Sequence, residues 1–236
     1  MNRLYGTSFL LVTAVALGCE GGGGGGGEKS SVRQPSGATA VVQPDANRPT
    51  VVFMGTSLTA GYGLDPDQAF PKLIQDKIDA AGLNHRVQNA GLSGETSAGA
   101  VRRIDWLFRQ SIDVLVIETG ANDGLRGQDP AQLKANIQAI IDRALQQDPA
   151  PQILLLGMEA PPNLGRAYTR RFRAAYRELA GENGAELVPF LLEGVAGIES
   201  LNQADGIHPA PEGQAIMAET VWQVLEPMLE GVGSSR

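Results

Sequence analysis

The stretch Val51-Val52-Phe53-Met54-Gly55-Thr56-Ser57-Leu58-Thr59-Ala60-Gly61-Tyr62-Gly63-Leu64 decides how the rest of the chain is read. A short apolar run ends on a glycine and gives way at once to hydroxyl residues and further glycines, the pattern of a buried strand breaking into a tight turn. Ser57 then stands just past the carboxyl end of that strand, the edge along which open α/β sheets bind their ligands. Two readings of this serine are open at this point: a nucleophile, or an ordinary N-cap for the following segment.

Working outward, strand-like and helix-like segments alternate from Thr50 onward. Strands are expected at Val51–Met54, His85–Asn89, Ile112–Glu118, Ile153–Leu156 and Glu186–Pro189. The run Ile112–Glu118 is nearly continuous in apolar residues, as a strand buried on both faces requires. Between the strands, apolar residues recur at helical spacing over Phe70–Ile78, Thr96–Phe108, Ala131–Leu145, Tyr168–Leu179 and Pro211–Leu229. In Ala131–Leu145 the expected inward face is Leu133, Ile137, Ile140, Ile141 and Leu145. Such alternation predicts a parallel sheet covered by helices on both sides.

Three further polar clusters follow predicted strands: Asn89–Thr96 after the second, Gly120–Gly124 after the third, and Asp205-Gly206-Ile207-His208-Pro209 between the fifth and the last helix. In a parallel sheet these ends lie along one edge, so Ser57, Gly94, Asn122, Asp205 and His208 can converge there. A serine hydroxyl needs a base to take its proton, and histidine serves near neutral pH. The chain has two histidines. His85, in a polar turn, is expected to be a solvated loop residue. His208 follows Asp205 by three residues, a spacing that lets a carboxylate hold one imidazole nitrogen while the other faces the serine. A helix cap for Asp205 and a surface histidine remain open as plain readings. The oxyanion formed by attack on an ester needs donors already aimed at it, and the N–H groups of Ser57 and Gly94 with the Asn122 amide supply three. Gly94 and Asn122 can equally be read as residues that merely turn the chain.

Gly55-Thr56-Ser57-Leu58, Gly94, Gly120-Ala121-Asn122-Asp123 and Asp205–Pro209 together resemble blocks I, II, III and V of the SGNH, or GDSL-type, hydrolases, in order and over about residues 50–230. The resemblance is closest to the bacterial thioesterase/lysophospholipase/arylesterase branch, on Gly124-Leu125-Arg126-Gly127 and on Pro161–Tyr168, which is similar to that branch's substrate-side loop. It implies an α/β fold, a three-layer α/β/α sandwich with a flavodoxin-like parallel sheet of about five strands. It also implies Ser57 as nucleophile, His208 as base, Asp205 as orienting acid, Ser57, Gly94 and Asn122 as oxyanion donors, and no cofactor or metal. Two positions depart from the pattern: Thr56 stands where the family has aspartate, and Ala121 where it has the second glycine of block III. Thr56 takes a negative charge from beside the site, and a nearby carboxylate favours imidazolium, so Thr56→Asp is expected to move the acidic limb of the pH–rate profile. Ala121 is expected to narrow the acyl site by a methyl group.

Residues 1–18 carry one charge, Arg3, and a nine-residue apolar run, Phe9–Leu17, too short to span a bilayer, which takes about 20 residues. A charged start before a short apolar core is the form of a secretory signal peptide. The run closes on Ala16-Leu17-Gly18-Cys19, which resembles a bacterial lipobox, and Cys19 is the sole cysteine. Lipidation at Cys19 is therefore expected, and Glu20, by resemblance to the sorting rules of Gram-negative lipoproteins, implies an outer-membrane lipoprotein that faces the periplasm; plain export is the alternative. Residues 19–49, opening on the glycine run Gly21–Gly27, are expected to form a tether without a core, which as a flexible coil holds residues 50–236 roughly 30 Å from the lipid.

A net charge of −7 and a pI near 4.9 argue against a nucleic-acid partner. With one cysteine there is no internal disulfide and no Cys/His zinc cluster. The expected protein is a tethered, monomeric serine esterase acting on aryl or short-to-medium acyl esters, lysophospholipids or thioesters. The alternatives are a carbohydrate O-deacetylase of the same fold and a non-catalytic lipoprotein binding module. An aromatic content of 5% gives the sugar reading few stacking platforms.

Overall fold

A computed structural model describes residues 48–232. The expected signal peptide 1–18, Cys19 and the tether as far as residue 47 lie outside the described residues. Five strands form one parallel sheet: β1 (Thr50–Gly55), β2 (Arg86–Gly91), β3 (Val114–Glu118), β4 (Gln152–Leu156) and β5 (Glu186–Val188). Their order across the sheet is β2-β1-β3-β4-β5, the flavodoxin-like arrangement expected of the chain.

β1, β3 and β4 lie in the middle of this sheet. Every residue of β1 and β3 is buried, as their unbroken Val/Leu/Ile/Phe runs require. Helices cover both faces. α2 (Phe70–Ala80) packs with α7 (Pro211–Val232) in one layer, and α3 (Ser97–Leu107), α5 (Pro130–Leu145) and α6 (Arg166–Asn183) pack side by side in the other. Two short helices, α1 (Ser57–Ala60) and α4 (Ala121–Leu125), follow β1 and β3 directly. Strand order reverses between β1 and β3, so their outgoing chains diverge and leave a crevice at the carboxyl edge. α1 and α4 form its two banks.

The core joins Phe53, Leu115, Ile117 and Leu154 of the sheet to Phe70 and Ile74 on one side and to Leu133, Ile137 and Phe172 on the other. Each such side chain contributes about 1.5–3 kcal/mol when fully buried. Two expectations about burial are overturned. Leu145 is 45% exposed, and Ala144 takes the inward place in α5. At 3.6 residues per turn Ala144 falls almost in line with Leu133, whereas Leu145 lies roughly 120° around the helix. His85 is buried rather than solvated, at 4% exposure. Gln75 and Arg48 close over it, both donating to its carbonyl oxygen. Burial lowers the pKa of its imidazole, and among the described residues neither ring nitrogen has a hydrogen-bond partner.

Element ends shift by a few residues. β2 begins one residue later than expected and continues through Gly91, so part of the polar cluster after it is still strand. β3 starts at Val114 rather than Ile112, and β5 ends at Val188, before Pro189, which has no N–H to add to a ladder.

Candidate active site

Ser57 is the first residue of α1, so its N–H belongs to the first turn, which has no intrahelical carbonyl to bond. The N-cap is Thr56, whose hydroxyl accepts from the N–H of Leu58, and the cap reading of Ser57 falls. Its Oγ is 2.9 Å from Nε2 of His208, and Nδ1 of His208 is 2.6 Å from Oδ2 of Asp205. With the proton on Nδ1, the imidazole donates to Asp205 and offers Nε2 as acceptor to the serine hydroxyl. The other carboxylate oxygen of Asp205 accepts the N–H groups of Ile207 and His208, which fixes the turn between the two side chains. The bond from the His208 ring, followed by those from the two backbone N–H groups, holds the Asp205 carboxyl well below the usual carboxylate range. α7 begins only at Pro211, so Asp205 caps no helix.

The chain also clamps this last loop to the first. Gln203 donates through Nε2 to the carbonyl oxygens of Tyr62 and Pro209, and its N–H donates to the carbonyl of His208. Tyr62 packs its ring against the His208 imidazole, centroids 4.7 Å apart. Neither Gln203 nor Tyr62 was singled out from the sequence, because the contact joins positions 141 apart with no shared pattern.

On the opposite bank, Asn122 lies in α4 and donates one amide hydrogen to the carbonyl of Glu95, 2.9 Å away, leaving its second N–H for a ligand. The Glu95 carboxylate is held in a two-pronged pair by Arg103, at 2.7 Å on each oxygen, and Arg103 reaches on to the carbonyl of Gly55. Glu95 thus ties Asn122 to the end of β1. The neighbouring Asp123 carboxylate accepts the N–H and the hydroxyl of Ser97, joining α4 to the start of α3. Gly94 has a positive φ of 79°, and a Cβ there would meet nothing within 4 Å, so its main chain faces open space, as an approach to a ligand needs. Arg126 donates to its carbonyl oxygen.

Ser57, Gly94, Asn122 and His208 all line one pocket of about 660 Å³, within the range of small-molecule sites. Asp205 lies one shell back, behind His208. The remaining walls are mostly apolar, with Leu58, Leu125, Met158, Phe190, Leu192 and Ile207 prominent. Ala121 is among them, as expected of its methyl group. Of the expected substrate-side loop Pro161–Tyr168, Pro161 and Pro162 line the pocket together with the preceding Met158–Ala160, whereas Leu164 and Tyr168 pack toward the core. His85 sits at the amino end of β2, at the far edge of the sheet, and takes no part.

A further group beneath the serine went unread. Glu118, the last residue of β3, is 1% exposed and takes hydrogen bonds from Thr56 and Thr59. Its signal was present in the sequence: an acid closing a strand that is otherwise apolar needs partners. Thr56 therefore faces Glu118 below the turn and not the open pocket.

The family model described as "GDSL-like Lipase/Acylhydrolase family" matches residues 53–216. The chain belongs to that family. It is 41% identical over 193 residues to the esterase TesA of Pseudomonas aeruginosa, covering 81% of this chain and 95% of that protein. It is 35% identical over 181 residues to the thioesterase 1/protease 1/lysophospholipase L1 of Escherichia coli K12, covering 76% and 85%. Among solved structures, the psychrotrophic esterase EstA from Pseudoalteromonas, inhibited by monoethylphosphonate, superposes with a TM-score of 0.72 at 32% identity, over 77% of this chain and 98% of that one.

Proposed function

We propose that the chain is a serine esterase that cleaves acyl esters through an acyl-enzyme, with Ser57 as nucleophile, His208 as base and Asp205 as orienting acid. The observation that carries this reading is the unbroken relay from Asp205 through His208 to Ser57, with spacings of 2.6 and 2.9 Å. Ser57 Oγ attacks the ester carbonyl as its proton passes to His208 Nε2. The N–H groups of Ser57 and Gly94 and the free N–H of Asn122 receive the oxyanion. Collapse expels the alcohol with the proton returned by His208, and water, activated by the same imidazole, releases the acid.

The apolar walls favour an aliphatic or aryl acyl group over a sugar acetate. Hydrolysis of p-nitrophenyl esters, a lysophospholipid and an acyl-CoA by the wild-type chain and by Ser57→Ala tests both parts. Full activity in Ser57→Ala would refute the nucleophile. A rate that falls steadily from acetate to octanoate would refute the acyl pocket. Labelling of Ser57 by a fluorophosphonate separates the enzyme from a binding module.

The same reading places the protein outside the cytoplasm, lipidated on Cys19 and held by residues 19–49 to the outer membrane, where lipid or small-molecule esters reach it. Membrane fractionation of the wild type and Cys19→Ala tests this; equal membrane association would count against the anchor.

A further inference from the structure

Ser57 is flanked by two threonines that share one buried partner. Oε2 of Glu118 accepts the Thr56 N–H at 2.7 Å, the Thr56 hydroxyl at 2.9 Å and the Thr59 hydroxyl at 2.9 Å; Oε1 accepts the Thr56 hydroxyl at 3.1 Å. Every group around the carboxyl is a donor, the arrangement an ionised acceptor-only carboxylate satisfies. The backbone is shaped to admit it. A Cβ on Gly55 would lie 1.9 Å from Thr59 Oγ1 and 2.7 Å from Glu118 Oε2, so only glycine lets the end of β1 pass this close.

We propose that Glu118 is a positioning residue for the nucleophile. Its ionised carboxylate fixes the residues one before and two after Ser57, and through them the direction of the serine N–H and Oγ. This rests on the reading of Ser57 as nucleophile. The Thr56 hydroxyl donates its hydrogen bond to Glu118 and so presents a lone pair to the Leu58 N–H, which seats the first turn of α1. Protonated Glu118 has to donate instead. One threonine hydroxyl then turns to accept from it, and the seat under Ser57 loosens.

Among the described residues, the titratable and charged groups nearby leave Glu118 without a cation of its own. On α3, Arg103 is committed to Glu95 and to the Gly55 carbonyl, and on α6 the Tyr176 hydroxyl donates to the Thr119 carbonyl, with burial keeping the phenol neutral. Asp123 of α4 is bonded to Ser97. Activity should therefore carry a second ionisation besides that of the base.

The test is the pH dependence of kcat/KM, and of Ser57 labelling by a fluorophosphonate, in the wild type, Glu118→Gln and Thr59→Val, with circular dichroism confirming the fold. In the wild type the acidic limb falls with a limiting logarithmic slope of 2. In Glu118→Gln the slope becomes 1 and the plateau drops about tenfold, with most of the loss in kcat. Thr59→Val removes one donor from the carboxylate and moves the steep limb to higher pH, which keeps the proposal testable if Glu118→Gln does not fold. Identical limbs in all three proteins would overturn the role of Glu118 while leaving Ser57 in place. A wild-type chain that is not labelled at Ser57 would overturn the nucleophile itself.

Discussion

His208 Nε2 lies 2.9 Å from Ser57 Oγ, although 151 positions separate the two residues in the chain. The contact depends on two loops from opposite ends of the domain meeting at one sheet edge, and on Gln203 bonding both of them.

Asp205 holds the imidazole by the ring nitrogen that does not face the serine, so its removal disturbs the tautomer more than the position. Asp205→Asn is expected to lower kcat by roughly 10³–10⁴-fold with little change in KM. Steady-state kinetics on a p-nitrophenyl ester check this, and a loss below tenfold would mean that Asp205 does not orient the base.

Asn122 spends one N–H on the Glu95 carbonyl and keeps the other for the pocket. Asn122→Ala should lower kcat by about 10²–10³-fold, the usual loss for one oxyanion donor. Single-turnover acylation isolates the step, and a change confined to KM would assign the side chain to ground-state binding instead.

Gly55 passes against Thr59 and Glu118 with no room for a methyl group. Gly55→Ala is expected to destabilise the fold by about 1–3 kcal/mol through overpacking. Urea titration gives the value, and unchanged stability would contradict the close approach.

Burial raises the Glu118 pKa from 4.5 to about 7, against the bonds from Thr56 and Thr59 that oppose it. An acid whose folded pKa is raised keeps its proton longer in the folded chain, so stability declines as pH rises from about 4.5 to about 7 and levels off above. The shift corresponds to about 3 kcal/mol. Melting temperatures of the wild type and Glu118→Gln should therefore diverge across that window, with the variant gaining relative to the wild type. Thr56→Asp sets a second carboxyl against the first, and its loss of stability should be greatest above pH 7. Parallel pH profiles for all three proteins would contradict this.

His85 is buried with its pKa lowered by desolvation. The unfolded chain takes up the histidine proton first, so this residue's contribution is complete above pH 6.5 and is lost progressively below it. His85→Leu should flatten that part of the stability curve without changing kcat at pH 8, because the residue lies at the opposite edge of the sheet. A large fall in kcat would contradict that placement.

The run Val51–Gly55 followed by Thr56-Ser57, and the alternation of strand and helix after it, settled the parallel α/β sheet and the edge on which the chemistry would gather. That Ser57, Gly94, Asn122, Asp205 and His208 gather at one sheet edge was legible, because each falls in a short polar segment next to an apolar strand or helix and local spacing reports local structure. Periodicity reports which face a segment hides, but not what another segment brings against it. Leu145 shows the limit on the fine scale, since one residue of helical rotation exchanges core for solvent. Thr56 read as the loss of a charge beside the pocket until the register of β1 against β3 placed Glu118 beneath it. The same packing buried His85 under Gln75 and Arg48. Sequence determined the strand ends and the reactive groups they carry; only the tertiary structure decided their partners, because a hydrogen bond needs about 3 Å between atoms and that distance is set by crossovers tens of residues long.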